Sequence, residues 1–102
     1  MNIIAKPTII HYLTKYPLAS AALLSWYKDF SAATFRNFNE LKDVYQNASL
    51  AGNNRVIFNI KGNFFRLIVS FDFRRQAAYI IWFGTHGEYD KIDAATVPYI
   101  EI

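Results

Sequence analysis

Three apolar runs in the second half of the chain constrain the fold most. They are RVIFNIK (residues 55–61), FFRLIVSFDF (64–73) and AYIIWF (78–83), and all are rich in β-branched and aromatic residues. Gly62-Asn63 and residues 74–77 separate them, which is the pattern of strands joined by short turns. The sequence therefore predicts three consecutive strands that pair as an antiparallel meander.

The first turn decides which side chains share a face of this meander. If Gly62-Asn63 is a two-residue hairpin loop, Asn59 lies opposite Arg66 and Ile57 lies opposite Ile68. One face is then wholly apolar and is expected to lie under helices: Val56, Phe58, Ile60, Phe65, Leu67, Val69 and Phe71. The second face mixes polar and apolar groups: Asn59, Lys61, Arg66, Ser70 and Asp72 among Ile57, Phe64 and Ile68. Placing Phe73 opposite Ala78 adds Tyr79, Ile81, Phe83 and Thr85 to the second face, with Arg66 near Thr85.

The first half of the chain has helical periodicity. Leu23, Trp26 and Phe30 recur at three- and four-residue spacing, and Pro17 suits the first turn of their helix. Further predicted elements are a strand at residues 2–5, helices at 7–16 and 40–47, the latter capped by Asn39, a loop at 47–54 and an edge strand at 97–102. We expect an α+β fold, with N-terminal helices packed on a small antiparallel sheet, and a single domain over residues 1–102.

Composition excludes several classes of protein. The chain has no cysteine, which rules out disulfides, a thiol nucleophile and thiolate metal sites and fits a reducing compartment. Charged residues and prolines interrupt the first 17 residues, so we expect no signal peptide. Its most apolar run, residues 18–27, is shorter than the roughly 20 residues that span a membrane. These features favour a cytoplasmic protein.

Positive charge is concentrated in the meander. The net charge of the chain is +3, but residues 55–79 hold five basic residues and one acidic residue. Such charges are often solvated groups on strands and turns, and the alternative is a site for an anionic partner. Lys61 and Arg66 share the second face, which favours a site.

The largest cluster of polar and ionisable side chains follows the third strand, in the run Thr85-His86-Gly87-Glu88-Tyr89-Asp90-Lys91. Metal catalysis is not favoured, because His11 and His86 belong to different elements and neither has a ligand spacing. No serine stands at a strand-to-helix elbow as a partner for His86. Cleavage of RNA fits better, since its 2′-hydroxyl is the nucleophile and the enzyme adds a base, an acid and cations.

Aromatic side chains on the second face have two interpretations. Phe64, Tyr79 and Phe83 offer surfaces on which an exposed base can stack. Alternatively, they cover the second face of the sheet or dock a protein partner.

Two long motifs resemble one family of proteins. GNNRVIFNIKGNFFRLIVSFDF and AYIIWFGTHGEYDKIDA resemble the HigB-type toxins of type II toxin–antitoxin pairs, which are relatives of RelE. The resemblance implies helices packed on a small antiparallel sheet and an endoribonuclease that cleaves messenger RNA, typically on the ribosome. It also implies a cognate antitoxin with a helix-turn-helix domain, and no cofactor or metal.

The polar residues that recur in this family correspond here to Asp90 and to the catalytic and RNA-binding residues named next, apart from Arg74 and Arg75. The resemblance implies that the catalytic residues are Lys61, Arg66, His86, Glu88, Tyr89 and Lys91. In this assignment Lys61 and Arg66 bind phosphate, His86 with Tyr89 or Glu88 forms the acid–base pair, and Lys91 is a second cation. The residues expected to bind RNA are Asn59, Asn63, Arg74, Arg75 and Thr85.

One position departs from the family pattern. The last strand commonly carries an arginine where this chain has Ile81, on the second face beside the expected site. One well-placed charge stabiliser can contribute about 10²- to 10³-fold in rate. An attenuated or inactive toxin-like module that still binds antitoxin or RNA is therefore the alternative, and Arg74 or Arg75 replaces the missing cation only if the second turn curls over the sheet.

Overall fold

A computed structural model describes residues 1–4 and 6–99, with the side chain of Lys6 left out. Its strands are β1 (Asn2–Ile4), β2 (Ser49–Leu50), β3 (Arg55–Ile60), β4 (Phe65–Asp72) and β5 (Ala77–Thr85). The helices are α1 (Lys6–Lys15), α2 (Ser20–Ala32), α3 (Phe38–Val44) and α4 (His86–Tyr89), with a 3₁₀ turn at Pro17–Ala19. Two predicted strand segments, Ala5 and residues 100–102, lie outside the described residues, and residues 97–99 form no strand.

The five strands form one sheet in the order β1-β5-β4-β3-β2. Strands β3, β4 and β5 pair antiparallel, which confirms the meander, and the whole is the expected α+β fold. The sheet is nevertheless mixed, because β1 pairs with β5 in parallel. Strand β2 extends the other edge from a segment predicted as loop. Strand β1 confirms the predicted N-terminal strand over residues 2–4, whereas β2 has only two residues, which is too short for local periodicity to reveal.

The predicted first-turn register is confirmed, with Asn59 opposite Arg66 and Ile57 opposite Ile68. All seven residues of the predicted apolar face are buried in the main core beneath the helices. Helix α2 contributes Leu23, Trp26 and Phe30 to that core, as its spacing predicts. Helix α3 begins earlier than predicted. Its cap is Asn37, whose side chain accepts the Glu40 N–H at 3.0 Å, so the prediction of Asn39 was wrong.

The predicted second-turn register is wrong. Ala78 pairs with Phe71 rather than with Phe73, a shift of two residues that does not change the faces, and a β-bulge further along β5 then does change them. Asp72 pairs with Ala77 and Val69 with Ile80, but the next pair is Ile68 with Trp82, so Ile81 is the extra residue. Beyond the bulge the faces exchange, and Phe83 lies in the main core at 1% exposure, where it cannot stack a base. Arg66 pairs with Gly84, and Thr85 pairs with Phe65.

The middle of the second face is buried rather than polar. Ile57, Ile68 and Ile81 form a small apolar cluster there, which we call the isoleucine cluster. The C-terminal segment covers it with Ile92, Ala94 and Val97. Arg55 holds this segment, because its Nη1 donates to the carbonyl oxygens of Ala94 at 3.0 Å and Val97 at 2.7 Å. One of the five basic groups in the meander is therefore engaged in a structural contact.

Candidate functional site

Several of the predicted site residues meet where the β3–β4 turn approaches the start of α4. The backbone N–H of His86 donates to the carbonyl oxygen of Phe64 at 2.8 Å, which joins the two segments. Between them and the 3₁₀ turn lies a cavity of about 710 Å³, here called the turn cavity. Its lining residues are Leu18, Lys61, Asn63, Phe64, Phe65, Thr85, His86 and Gly87.

A reciprocal capping box fixes the short helix α4. The Thr85 hydroxyl accepts the Glu88 N–H at 3.1 Å, and the Glu88 carboxylate accepts the Thr85 N–H at 2.9 Å. The hydroxyl of Tyr16 also donates to both Glu88 oxygens, at 2.8 and 3.1 Å. The helix that carries His86 and Tyr89 is therefore fastened to the sequence just after α1.

These contacts decide the protonation of Glu88. The backbone N–H of Thr85 is the largest cause that lowers the pKa of the Glu88 carboxyl, and the Tyr16 hydroxyl, the Thr85 hydroxyl and the Lys15 charge act in the same direction. Burial raises the pKa of Tyr16, and the neighbouring Glu88 raises it further, so this phenol stays protonated as a donor. Glu88 is an ionised residue that positions α4, with both of its oxygens engaged.

His86 stands at the first position of α4 on the wall of the turn cavity. Its side chain is 44% exposed, and its Nε2 lies 3.6 Å from Oδ1 of Asp90, one helical turn later. This exposure leaves the ring within reach of a ligand in the cavity. Imidazole groups commonly serve as general acids or bases, so His86 is a candidate for that role.

Arg66 links the turn to α4 on the second face. Its Nη2 donates to Asn63 Oδ1 at 2.5 Å and its Nη1 to the Asn63 carbonyl oxygen at 3.2 Å, while the guanidinium lies 5.9 Å from the centre of the Tyr89 ring. Tyr89 in turn packs on Trp82, with ring centres 6.3 Å apart. The position opposite Arg66 on β5 is Gly84, where an added Cβ would come within 2.6 Å of the Trp82 ring, so a side chain there would displace that ring.

Lys61 occupies a strained position in the turn. Its φ is +54°, in the left-handed region that costs a non-glycine residue about 1 kcal/mol or more. The side chain is exposed, and Nζ donates to the carbonyl oxygen of Leu18 at 3.0 Å. This bond holds the ammonium group at the mouth of the turn cavity.

Of the remaining predicted residues, two lie near the turn cavity in the sequence or the sheet, and two lie at the other end of the sheet. Asn59 is half-buried opposite Arg66, and Lys91 is exposed just after α4. Arg74 and Arg75 lie in the β4–β5 turn at the opposite end of β4, and Arg75 pairs with Asp72 at 3.6 Å. Neither arginine lines the turn cavity.

Sequence reasoning missed two residues of the site. Leu18 lines the turn cavity, and Tyr16 holds Glu88 across a sequence separation of 72 residues. No local pattern marks either contact, because both depend on how the N-terminal helices meet the far end of the sheet. Within residues 1–4 and 6–99, no three His, Asp or Glu side chains are grouped as metal ligands.

Comparisons with known proteins identify the family. A search of curated proteins gave no significant match. No helix in the described part of the chain is long and apolar enough to cross a membrane. Residues 19–92 match the HigB toxin family, described as the RelE-like toxic component of a toxin–antitoxin system, and this span includes β2–β5, α4 and most of the site. The chain therefore belongs to the HigB family of RelE-like toxins, whose place in a toxin–antitoxin system implies a cognate antitoxin as partner.

Proposed function

We propose that this toxin is a metal-independent endoribonuclease that cleaves messenger RNA on the ribosome, in the cytoplasm. The observation that carries the proposal is the turn cavity, which both Lys61 and the partly exposed side chain of His86 line. Arg66 and Tyr89 stand next to it on the second face. Cations beside a group that exchanges protons are what cleavage of a phosphodiester requires.

The reaction uses the nucleophile that RNA already carries. A base takes the proton of the 2′-hydroxyl, whose oxygen attacks the adjacent phosphorus. The bond from phosphorus to the 5′-oxygen of the next nucleotide breaks, and an acid gives that oxygen a proton. The products are a 2′,3′-cyclic phosphate and a 5′-hydroxyl end, and no water or redox partner is consumed.

The contacts support a division of roles among the side chains. We assign His86 and Tyr89 to the acid–base pair, since both oxygens of Glu88 are engaged in holding α4. Lys61 and Arg66 stabilise the charge on phosphate, with Lys91 as a further cation. Asn59, Asn63 and Thr85 contact the RNA chain near the cavity. Glu88 then serves catalysis by positioning the helix.

We further propose that the antitoxin carries a helix-turn-helix domain and neutralises the toxin. Purification of the tagged toxin after expression together with its neighbouring gene tests this partner. Recovery of a helix-turn-helix protein in a stoichiometric complex is expected. Recovery of the toxin alone, at full solubility, contradicts it.

Induced expression in a host that lacks the antitoxin tests the enzymatic proposal. We expect growth arrest and cuts in ribosome-bound transcripts, mapped by primer extension. His86→Ala and Arg66→Ala should each relieve the arrest, whereas Lys28→Ala, an exposed cation on α2, should not. Normal growth with intact transcripts at high soluble yield contradicts the proposal, as does full toxicity of both folded site variants.

A second candidate is a toxin-like module that binds antitoxin without cleaving RNA. Ile81 favours it, because this position is 6% exposed in the isoleucine cluster and carries no cation. A cell-free translation assay with purified protein separates the two candidates. Antitoxin binding without any transcript cleavage supports the module, and cleavage that His86→Ala abolishes supports the enzyme.

A further inference from the structure

Two large apolar side chains are exposed on the walls of the turn cavity. Leu18 is 79% exposed and Phe64 is 72% exposed, and neither belongs to the main core or the isoleucine cluster. They come from separate segments, the 3₁₀ turn and the β3–β4 turn, which the bond between Lys61 Nζ and the Leu18 carbonyl holds together. Exposed apolar side chains that line the same cavity are typical of a ligand-binding site.

The polar groups of the cavity define what the ligand must look like. Lys61 stands at the apolar wall formed by Leu18 and Phe64, and His86 stands next to Phe64 through the bond between its N–H and the Phe64 carbonyl. A ligand that satisfies both parts has a flat apolar body and an anionic group attached to it. A nucleotide has this composition, with a base that stacks on an aromatic ring and a phosphate that meets a cation.

We infer that the turn cavity binds one unpaired RNA base between Leu18 and Phe64, next to the phosphate that Lys61 and His86 address. The inference rests on the proposed function and adds the position at which one RNA base binds. Stacking on Phe64 accepts any base, because every base has a π-face. Phe64 is then a substrate-binding residue that sets how the RNA enters the site.

Binding of RNA that cannot be cleaved tests this site without relying on catalysis. The probe is a labelled 2′-O-methyl oligoadenylate of about twelve nucleotides, and its partner probe has the same phosphates but no bases. Phe64→Ala should weaken binding of the oligoadenylate about tenfold and should change binding of the abasic oligomer less than about twofold. Phe64→Trp should bind the oligoadenylate at least as well as the natural protein.

Gly87 offers an independent variant. It lines the cavity on α4, and a Cβ built there meets nothing within 4 Å, so Gly87→Leu starts its side chain in open space beside the cavity. Gly87→Leu should also weaken binding of the oligoadenylate more than binding of the abasic oligomer. Val44→Ala is the matched control, because Val44 is 66% exposed on α3 and does not line the cavity. Circular dichroism checks that every variant is folded.

The outcomes separate this inference from the proposed function. Equal loss on both probes, or no loss with Phe64→Ala, overturns the base site, as does weaker antitoxin binding with RNA binding unchanged. If Phe64 discriminates the two probes and the natural protein cuts no transcript, the base site stands and the endonuclease proposal fails. If the natural protein cuts transcripts and Phe64→Ala affects both probes equally or neither, the endonuclease proposal stands and the base site fails.

Discussion

The hydroxyl of Tyr16 donates a 2.8 Å hydrogen bond to Oε1 of Glu88 and so fastens the helix that carries His86 to the N-terminal helices. Tyr16→Phe removes this bond and leaves the ring contacts with Phe65 and Phe83. We expect the free energy of unfolding to fall by about 1 kcal/mol, measured by urea denaturation. Cleavage should fall by up to about tenfold, because His86 is held less firmly. Tyr27→Phe, on α2, is the control, and equal activity of both variants contradicts the positioning role.

The hydrogen bonds of Glu88 also make stability depend on pH. Because the Thr85 N–H, and then the Tyr16 hydroxyl, lower the pKa of this carboxyl in the fold, its contribution is complete above the unfolded pKa and is lost as pH falls through the folded value. The advantage of the natural protein over Glu88→Gln should therefore be full near pH 7 and shrink below about pH 4.5. Unfolding of both proteins at several pH values measures it. An advantage that stays constant into acid contradicts this linkage.

The face assignments succeeded where short turns and simple alternation govern the chain. The loop at Gly62-Asn63 aligns Asn59 with Arg66, and this pair was predicted from the turn alone. The bulge at Ile81 could not be predicted in the same way. It inserts one residue in a run of β-branched and aromatic side chains, AYIIWF, that fits either face, so nothing in the pattern marks the point where the faces exchange.

The candidate site was predictable as a set of residues but not as a geometry. The polar run from Thr85 to Lys91 supplied the candidate residues, and residues 86–89 of that run form a short helix with a capping box at Thr85. The Thr85-x-x-Glu88 spacing was the available signal for that helix. The hydrogen bond that attaches α4 to Tyr16 is a tertiary contact, and so is the packing of the C-terminal segment on Ile57. Periodicity does not encode such contacts.

The true cap of α3 gives a stability test with a close control. Asn37 has extended backbone and accepts the Glu40 N–H, whereas Asn39 lies within the first turn of the helix. Asn37→Ala should lower the free energy of unfolding by about 1 kcal/mol. Asn39→Ala should change it by less than about 0.5 kcal/mol. Equal losses in urea denaturation contradict the assignment of the cap.

An arginine at position 81 cannot be added without cost in this fold. Ile81 is 6% exposed among Ile57 and Ile68, so Ile81→Arg buries a guanidinium in apolar surroundings or displaces the C-terminal segment. We expect a loss of about 2 kcal/mol or more in the free energy of unfolding, against about 1 kcal/mol for Ile81→Val. Differential scanning calorimetry of the pair measures this. If Ile81→Arg is as stable as the natural protein, the cluster tolerates a charge, and a gain in cleavage would then mark the natural chain as attenuated.

Arg74 and Arg75 should act on long RNA and not on the chemical step. They follow the far end of β4, whose eight residues extend about 26 Å from the turn cavity. The double variant Arg74→Ala/Arg75→Ala should therefore cleave a short RNA at saturation within about twofold of the natural rate. Its affinity for longer RNA should fall, and the slope of log affinity against log salt should become shallower by about 0.7 for each lost phosphate contact. The salt titration checks this directly, and a large fall in the saturated rate would show that these arginines reach the site.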